Sequence, residues 1–211
     1  MNILSQMDAF RIAVLNFYNS DEAIKGLGGT SAHHRDVVIN AIKNPLPLNT
    51  EYASNKVPAT QFWPQLVDGA DAKFKDIVKA AEPVFDLLHW KINENYIGIF
   101  PDRFFENESY VEIIGPKGLL ITDDCRIGFL ILGEDIYYPS HNHEATELYH
   151  TVSGTGKWWQ DGETGSGEEV LKAPGTAIYH EEWENHAMRT TEPLLNLWSW
   201  AGEIGAEAKA S

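Results

Sequence analysis

The chain has 211 residues, 43% hydrophobic and 22% charged, an ordinary balance for a globular protein of one domain with a sizeable extension. Its formal net charge of −15 argues against a nucleic-acid partner, whose phosphates need clustered Lys and Arg, and against docking on anionic lipid. A single cysteine, Cys125, excludes an intramolecular disulfide and a four-thiolate zinc cluster. No run approaches the roughly 20 apolar residues that span a bilayer, and Met1 to Ser20 lacks the cationic start of a signal peptide, so the cytoplasm is the expected location.

Residues 1–95 read as a helical segment packing on the remainder of the chain. Ile3, Met7, Phe10, Ile12, Val14, Leu15 and Tyr18 recur at helical spacing, and Asn19-Ser20-Asp21 breaks the run. Thr30 or Ser31 is placed to cap a second helix through Val37, Val38, Ile39 and Ile42, which ends at Asn44-Pro45. A helical period returns between Thr60 and Asn95, as one long helix or two kinked near Pro83. His33, His34 and His89 lie in this half without carboxylates at ligand spacing, which suits surface or structural roles.

From residue 96 to 202 the texture changes to short apolar runs punctuated by Gly, Pro, Asn and Asp. Strands are expected at Tyr110–Ile114, Gly118–Ile121, Ile127–Leu132, Glu147–Val152, Gly156–Gln160, Val170–Ala173, Thr176–Tyr179, His186–Thr190 and Leu194–Trp200. Such a series points to an antiparallel sandwich or barrel. Asp161–Gly167 is an expected exposed hairpin loop, and residues 203–211 an expected frayed tail.

The chemistry concentrates between Tyr137 and Gly154. His141, His143 and Glu147 stand in an H-x-H-x3-E order closed by Gly154. Side chains two apart on a strand share a face, so both imidazoles point inward and Glu147 rejoins that face two pleats later. Two imidazoles and a carboxylate on one point make a first-row transition-metal site that needs a further ligand. Two later histidines are candidates: His180, closing the strand that begins at Thr176, and His186, twelve residues beyond Pro174 of the Pro174-Gly175 pair. His150 is out of phase with Glu147 and faces away.

With these residues the chain resembles the cupin superfamily. The first cupin motif carries two His and one Glu as in His141-x-His143-x3-Glu147-x6-Gly154. The second starts at a Pro-Gly such as Pro174-Gly175 and supplies the last His, here His186. The resemblance implies a jelly-roll β-barrel holding a divalent metal through His141, His143, Glu147 and His186. The glycine usual about six residues before the first His is displaced to Gly133, eight before His141.

Tyr149, two residues past Glu147, is on the metal-facing side, and Tyr138, three before His141, lies at the pocket rim. A phenol with pKa about 10 is a poor base alone, but a divalent cation beside it stabilises the phenolate. The plain alternative is that both rings pack the barrel wall. The run Tyr137 to His150, the Trp158-Trp159 pair and His186-Ala-Met-Arg-Thr followed by Leu195 to Trp200 resemble the cupin-type dimethylsulfoniopropionate (DMSP) lyases, as does the helical segment ahead of the barrel. That resemblance implies a small-molecule substrate, DMSP, cleaved to dimethyl sulfide and acrylate. Tyr149 is the implied base and Tyr138 the second candidate. Zinc, iron, manganese, cobalt and nickel all suit such ligands. A cupin dioxygenase using iron in the same site, and a noncatalytic binding cupin, are the competing readings. A homodimer through the helical half is compatible with the sequence.

Overall fold

The computed structural model describes residues 2–162, 169–206 and 208–210. Helix α1 (Ile3–Tyr18) starts at Asn2, whose side-chain oxygen accepts the Ser5 amide at 2.8 Å. Its inward side is Met7, Phe10, Arg11, Val14, Phe17 and Tyr18. Ile3 and Ile12, expected with them, are 38% and 42% exposed. Arg11 takes the inward place because it donates to the Ile42 carbonyl at 2.7 Å and pairs with Asp8 at 2.7 Å. That carbonyl ends helix α2 (Ser31–Ile42), so one buried cation satisfies its exposed C-terminal dipole. Thr30 occupies the N-cap position of α2 without capping it, since its hydroxyl is bonded to Glu181 at 2.8 Å and Tyr179 at 2.6 Å.

The helical pattern between Thr60 and Asn95 is divided more than its period suggests. Helix α3 (Trp63–Asp68) stops at Gly69, α4 (Lys75–Ala81) comes after a short 3-10 turn, and Glu82–Leu87 is again 3-10. Pro83 has no amide hydrogen to continue the α-helical ladder. A short helix α5 (Asp102–Asn107) precedes the strands and was not anticipated.

Ten strands complete the described chain: β1 (Glu108–Ile114), β2 (Cys125–Leu132), β3 (Tyr137–Asn142), β4 (Thr146–Ser153), β5 (Gly156–Gly162), β6 (Val170–Lys172), β7 (Ala177–His180), β8 (Asn185–Thr190), β9 (Leu194–Ala201) and β10 (Lys209–Ala210). They form two antiparallel five-stranded sheets, ordered β1-β2-β9-β4-β7 and β10-β3-β8-β5-β6. This is the expected jelly-roll barrel with an N-terminal helical segment. The expected strand at Gly118–Ile121 is instead a turn whose Leu120 makes isolated bridges to Leu48 and Ile114. Of the expected loop Asp161–Gly167, the first two residues belong to β5 and the remainder lies outside the described residues.

Strands β2 and β9 are buried along their whole length because each face of their sheet meets a different layer. Ile127, Phe129, Ile131, Leu195 and Leu197 join the core shared with the helices. Leu130, Leu132, Leu194, Trp198 and Trp200 point into the barrel. The period of two separates the layers. Gly128 has no freedom to be larger, since a Cβ there would sit 1.7 Å from the Val111 carbonyl and 2.8 Å from the Trp198 ring.

The tail departs from expectation. Ile204 is buried, and β10 pairs with β3, setting Lys209 opposite Asn142 and Ala210 opposite His141. The free backbone edge of β3 is a template for pairing, and that outweighs the polar composition of the tail. No described helix is long and apolar enough to cross a membrane.

Candidate metal centre

Two rows of paired residues face each other across the barrel. On one sheet His180 opposes Glu147, Glu147 opposes Trp200, and Trp200 opposes Arg126. On the other His141 opposes His186, which opposes Gln160. His143 enters from the connection between β3 and β4. Directly opposed residues of an antiparallel pair share a face, so register alone gathers these side chains.

His141, His143, Glu147 and His186 are all buried, and their ligating atoms lie within 4.8 Å of one another. Theirs is the one group of three or more His, Cys, Asp or Glu side chains among the described residues that could hold a metal ion. Each imidazole is oriented alike: Nδ1 meets a backbone carbonyl, of Pro139 at 2.8 Å, Ala145 at 2.8 Å and Glu184 at 2.9 Å respectively. A carbonyl only accepts, so each Nδ1 carries the proton and each Nε2 lone pair is left for a cation. His143 Nε2 stands 2.9 Å and His186 Nε2 3.3 Å from the same Glu147 oxygen. His186 Nε2 is buried without a hydrogen bond. Lone pairs facing a carboxylate repel unless a positive charge stands between them, so this donor set fits a divalent metal ion.

Burial by itself would raise Glu147, but His143 and His186 outweigh it and hold the carboxyl well below its usual range. Burial, with His186 adding to it, pushes His141 well down. His180, the rival for the fourth ligand, is fully buried but outside the four-residue group. It stacks on His186 with ring centres 3.8 Å apart, and its Nδ1 meets Gln160 Nε2 at 2.9 Å. An amide nitrogen donates, so His180 Nδ1 accepts. His150 faces the helices, as its phase requires, with Nε2 on the Ala23 carbonyl at 2.8 Å.

Tyr149 lies on the metal side, 5.0 Å from the Trp158 ring and 6.5 Å from that of His186. Burial first, and then the charge of Glu147, hold its phenol protonated, well above the usual range. Tyr138 is buried rather than at an open rim, with its ring 5.1 Å from His141. Its hydroxyl accepts from Asn93 Nδ2 at 3.2 Å, and burial, with Glu108 next, raises its pKa strongly.

A cavity of about 700 Å³ opens onto Glu147 and His141 and is walled by Tyr138, Tyr149, Trp198 and Trp200. It is also lined by His89, Lys91, Asn93 and Arg126, none of which stood out at motif level. Arg126 carried a readable cue, being a lone cation inside the apolar run Cys125–Leu132. Asn93 carried none. Of the remaining tryptophans, Trp158 is buried beside Tyr149, while Trp159 stacks on Tyr137 at 5.5 Å and Trp183 is 43% exposed.

Comparisons with known proteins bear on this geometry. A chain from the crystal structures of the DMSP lyases RdDddP and RnDddQII superposes with a TM-score of 0.74 at 20% identity, covering 98% of both chains. DMSP lyase DddQ from Ruegeria pomeroyi DSS-3 superposes with a TM-score of 0.73 at 19% identity, covering 96% of both. At these identities the likeness is one of fold. In sequence, the chain is 25% identical to DMSP lyase DddQ of Ruegeria pomeroyi over 142 residues, 67% of each protein. It is 27% identical over 148 residues to DddL of Cereibacter sphaeroides, named as a candidate DMSP lyase, covering 69% of this chain and 60% of that one. The family model for dimethylsulfoniopropionate lyase matches residues 30–196, most of the chain including all four metal-capable residues, and the chain therefore belongs to the DMSP lyase family.

Proposed function

We propose that the chain is a metal-dependent carbon–sulfur lyase that cleaves DMSP into dimethyl sulfide and acrylate. The observation that carries this reading is Tyr149, a buried phenol two residues along β4 from Glu147 and so on the same face, Glu147 being one of four convergent metal-capable residues in a family of DMSP lyases. His141, His143, Glu147 and His186 would hold the metal. Bound there, a divalent cation would offset the charge of Glu147, stabilise the Tyr149 phenolate and draw off charge from a substrate carboxylate.

The rest falls to the chain's own side chains. Tyr149 takes the proton alpha to the carboxylate, the C–H electron pair becomes the acrylate double bond, and the β-carbon–sulfur bond breaks with its pair remaining on sulfur as neutral dimethyl sulfide. Tyr138 orients substrate from the opposite wall, its hydroxyl held by Asn93. Aromatic cavity walls favour a sulfonium by about 0.5–2 kcal/mol per well-placed face. The buried position excludes water that would compete for the proton.

The test is headspace gas chromatography of dimethyl sulfide from purified protein, DMSP and a panel of zinc, iron, manganese, cobalt and nickel. Metal-dependent release is expected. Tyr149→Phe should keep the metal and lose turnover by about 10²–10⁴-fold. Retained turnover in that variant would move the base to Tyr138. Silence with every metal would leave a metal-binding cupin and return the substrate question to iron-dependent oxygenation or binding alone.

A further inference from the structure

The side-chain amide of Asn93 can point only one way. Its Oδ1 accepts the backbone N–H of Asn95 at 3.2 Å and so caps the 3-10 turn Glu94–Tyr96. A backbone N–H only donates, so the atom facing it is the carbonyl oxygen. The amino group therefore faces the Tyr138 hydroxyl, 3.2 Å away. The backbone of Asn93 is held as well, its N–H given to Glu108 Oε2 at 3.0 Å. Glu108 is fully buried on β1, and its other oxygen has no partner among the described residues, an arrangement that costs stability. Tyr96, which ends the capped turn, packs edge-on to the Tyr138 ring with centres 6.0 Å apart. Asn93 thus bears on Tyr138 twice, through its own amide and through the turn it caps.

These contacts set the polarity of Tyr138. A phenol has one hydrogen to give, and an amino group with both hydrogens does not receive it. The Tyr138 hydroxyl accepts from Asn93 and keeps its hydrogen for an acceptor in the cavity that both residues line. Its ring lies 5.1 Å from that of metal-capable His141, so an oxygen of a carboxylate held at the metal centre is the acceptor this placement suits.

We propose that Asn93 is a positioning residue: by donating to Tyr138 it makes that hydroxyl a hydrogen-bond donor to the metal-held carboxylate of the substrate. The identity of the substrate rests on the lyase reading, whereas the polarity of Tyr138 and its preference for a carboxylate stand without it.

The experiment compares the parent with Asn93→Asp, Asn93→Ala and Tyr138→Phe, and with each Asn93 change combined with Tyr138→Phe. Propionate affinity is read by calorimetry on the zinc-loaded full chain, and DMSP turnover by dimethyl sulfide release with the most active metal of the panel. The aspartate change keeps an oxygen for the Asn95 N–H, and so keeps the cap, but offers Tyr138 an acceptor in place of a donor. The phenol hydrogen then turns to the new carboxylate and is lost to the cavity. Asn93→Asp should weaken propionate and raise KM for DMSP by about tenfold or more, with kcat changed less. Asn93→Ala leaves the hydroxyl its hydrogen and should cost about threefold in both. With Tyr138→Phe in place both changes should lose their effect, because no hydroxyl remains to be directed. An asparagine that merely caps a turn gives the opposite order, the alanine change being the worse, and its effect persists without the hydroxyl; either result overturns the proposal. Should Asn93→Asp fail to fold, Asn93→Ala with and without Tyr138→Phe still decides, coupled effects supporting the proposal and additive ones overturning it. Coupled propionate affinities without dimethyl sulfide release from the parent would keep the positioning role and reject the lyase reading. Release from the parent with no coupling would do the reverse.

Discussion

The sheet β1-β2-β9-β4-β7 buries histidine against both of its faces, and the two faces use it differently. On the helix side His34 spends both ring nitrogens on hydroxyls, Thr146 at 2.8 Å and Ser199 at 2.8 Å, and Ser199 also accepts from Tyr18 at 2.7 Å. His150 gives Nε2 to a carbonyl and packs its ring 4.8 Å from Phe17. Inside the barrel His141, His143 and His186 give Nδ1 to a backbone carbonyl, and Nε2 of His143 and of His186 stands 2.9 Å and 3.3 Å from one Glu147 oxygen. All five are equally buried, at 0–3% exposure. Burial therefore does not distinguish a structural histidine from a ligand; the use of the second nitrogen and the company of a carboxylate do.

That contrast is sharpest for His186 and His34. His186→Ala should remove most bound metal and lower turnover by about 10³-fold or more, roughly 4 kcal/mol, measured by metal analysis and dimethyl sulfide release. His34→Ala should instead lower stability by about 2–3 kcal/mol through two lost buried hydrogen bonds, read from denaturant unfolding, while the folded fraction keeps its metal. A variant of His34 that loses metal without losing stability would break the comparison.

His180 tests the boundary between the two uses, since it is buried against His186 but outside the four-residue group that could hold a metal. His180→Ala should retain the metal stoichiometry and weaken affinity or turnover by about tenfold, the usual scale for a neighbour that orients a ligand. Metal loss equal to that of the His186 variant would overturn the ligand assignment.

The smallest effect concerns pH and stability. Burial lifts the Glu108 carboxyl from the ordinary 4.5 to about 8, so its neutral form is favoured in the folded chain. Its contribution is complete below pH 4.5 and is lost as pH rises to about 8. His34 and His150, pushed down to about 3 and about 4 by burial, contribute above 6.5 and lose that contribution as pH falls. Glu108→Gln should gain about 1–2 kcal/mol over the parent between pH 5 and pH 8 in equilibrium unfolding. Parallel stability curves for the two proteins would contradict the buried-carboxyl account.

What local sequence determined here is what short-range period can carry. Two-residue alternation assigns His141, Glu147 and Tyr149 to the barrel interior and His150 to the opposite face, and the helical face of α1 is mostly legible the same way. Trp198 and Trp200 likewise share one environment, with ring centres 6.2 Å apart. Those readings come from backbone geometry and need no knowledge of neighbours. Period could not foretell that Arg11 displaces Ile12 from the core, because the carbonyl it satisfies is 31 residues away. Nor could it foretell that Asn93 reaches Tyr138 across 45 residues, that the tail pairs with β3, or that Arg126 covers the tryptophans. Tertiary structure decided these, since a buried polar group takes whichever partner the packed chain brings within bonding distance, regardless of separation in sequence.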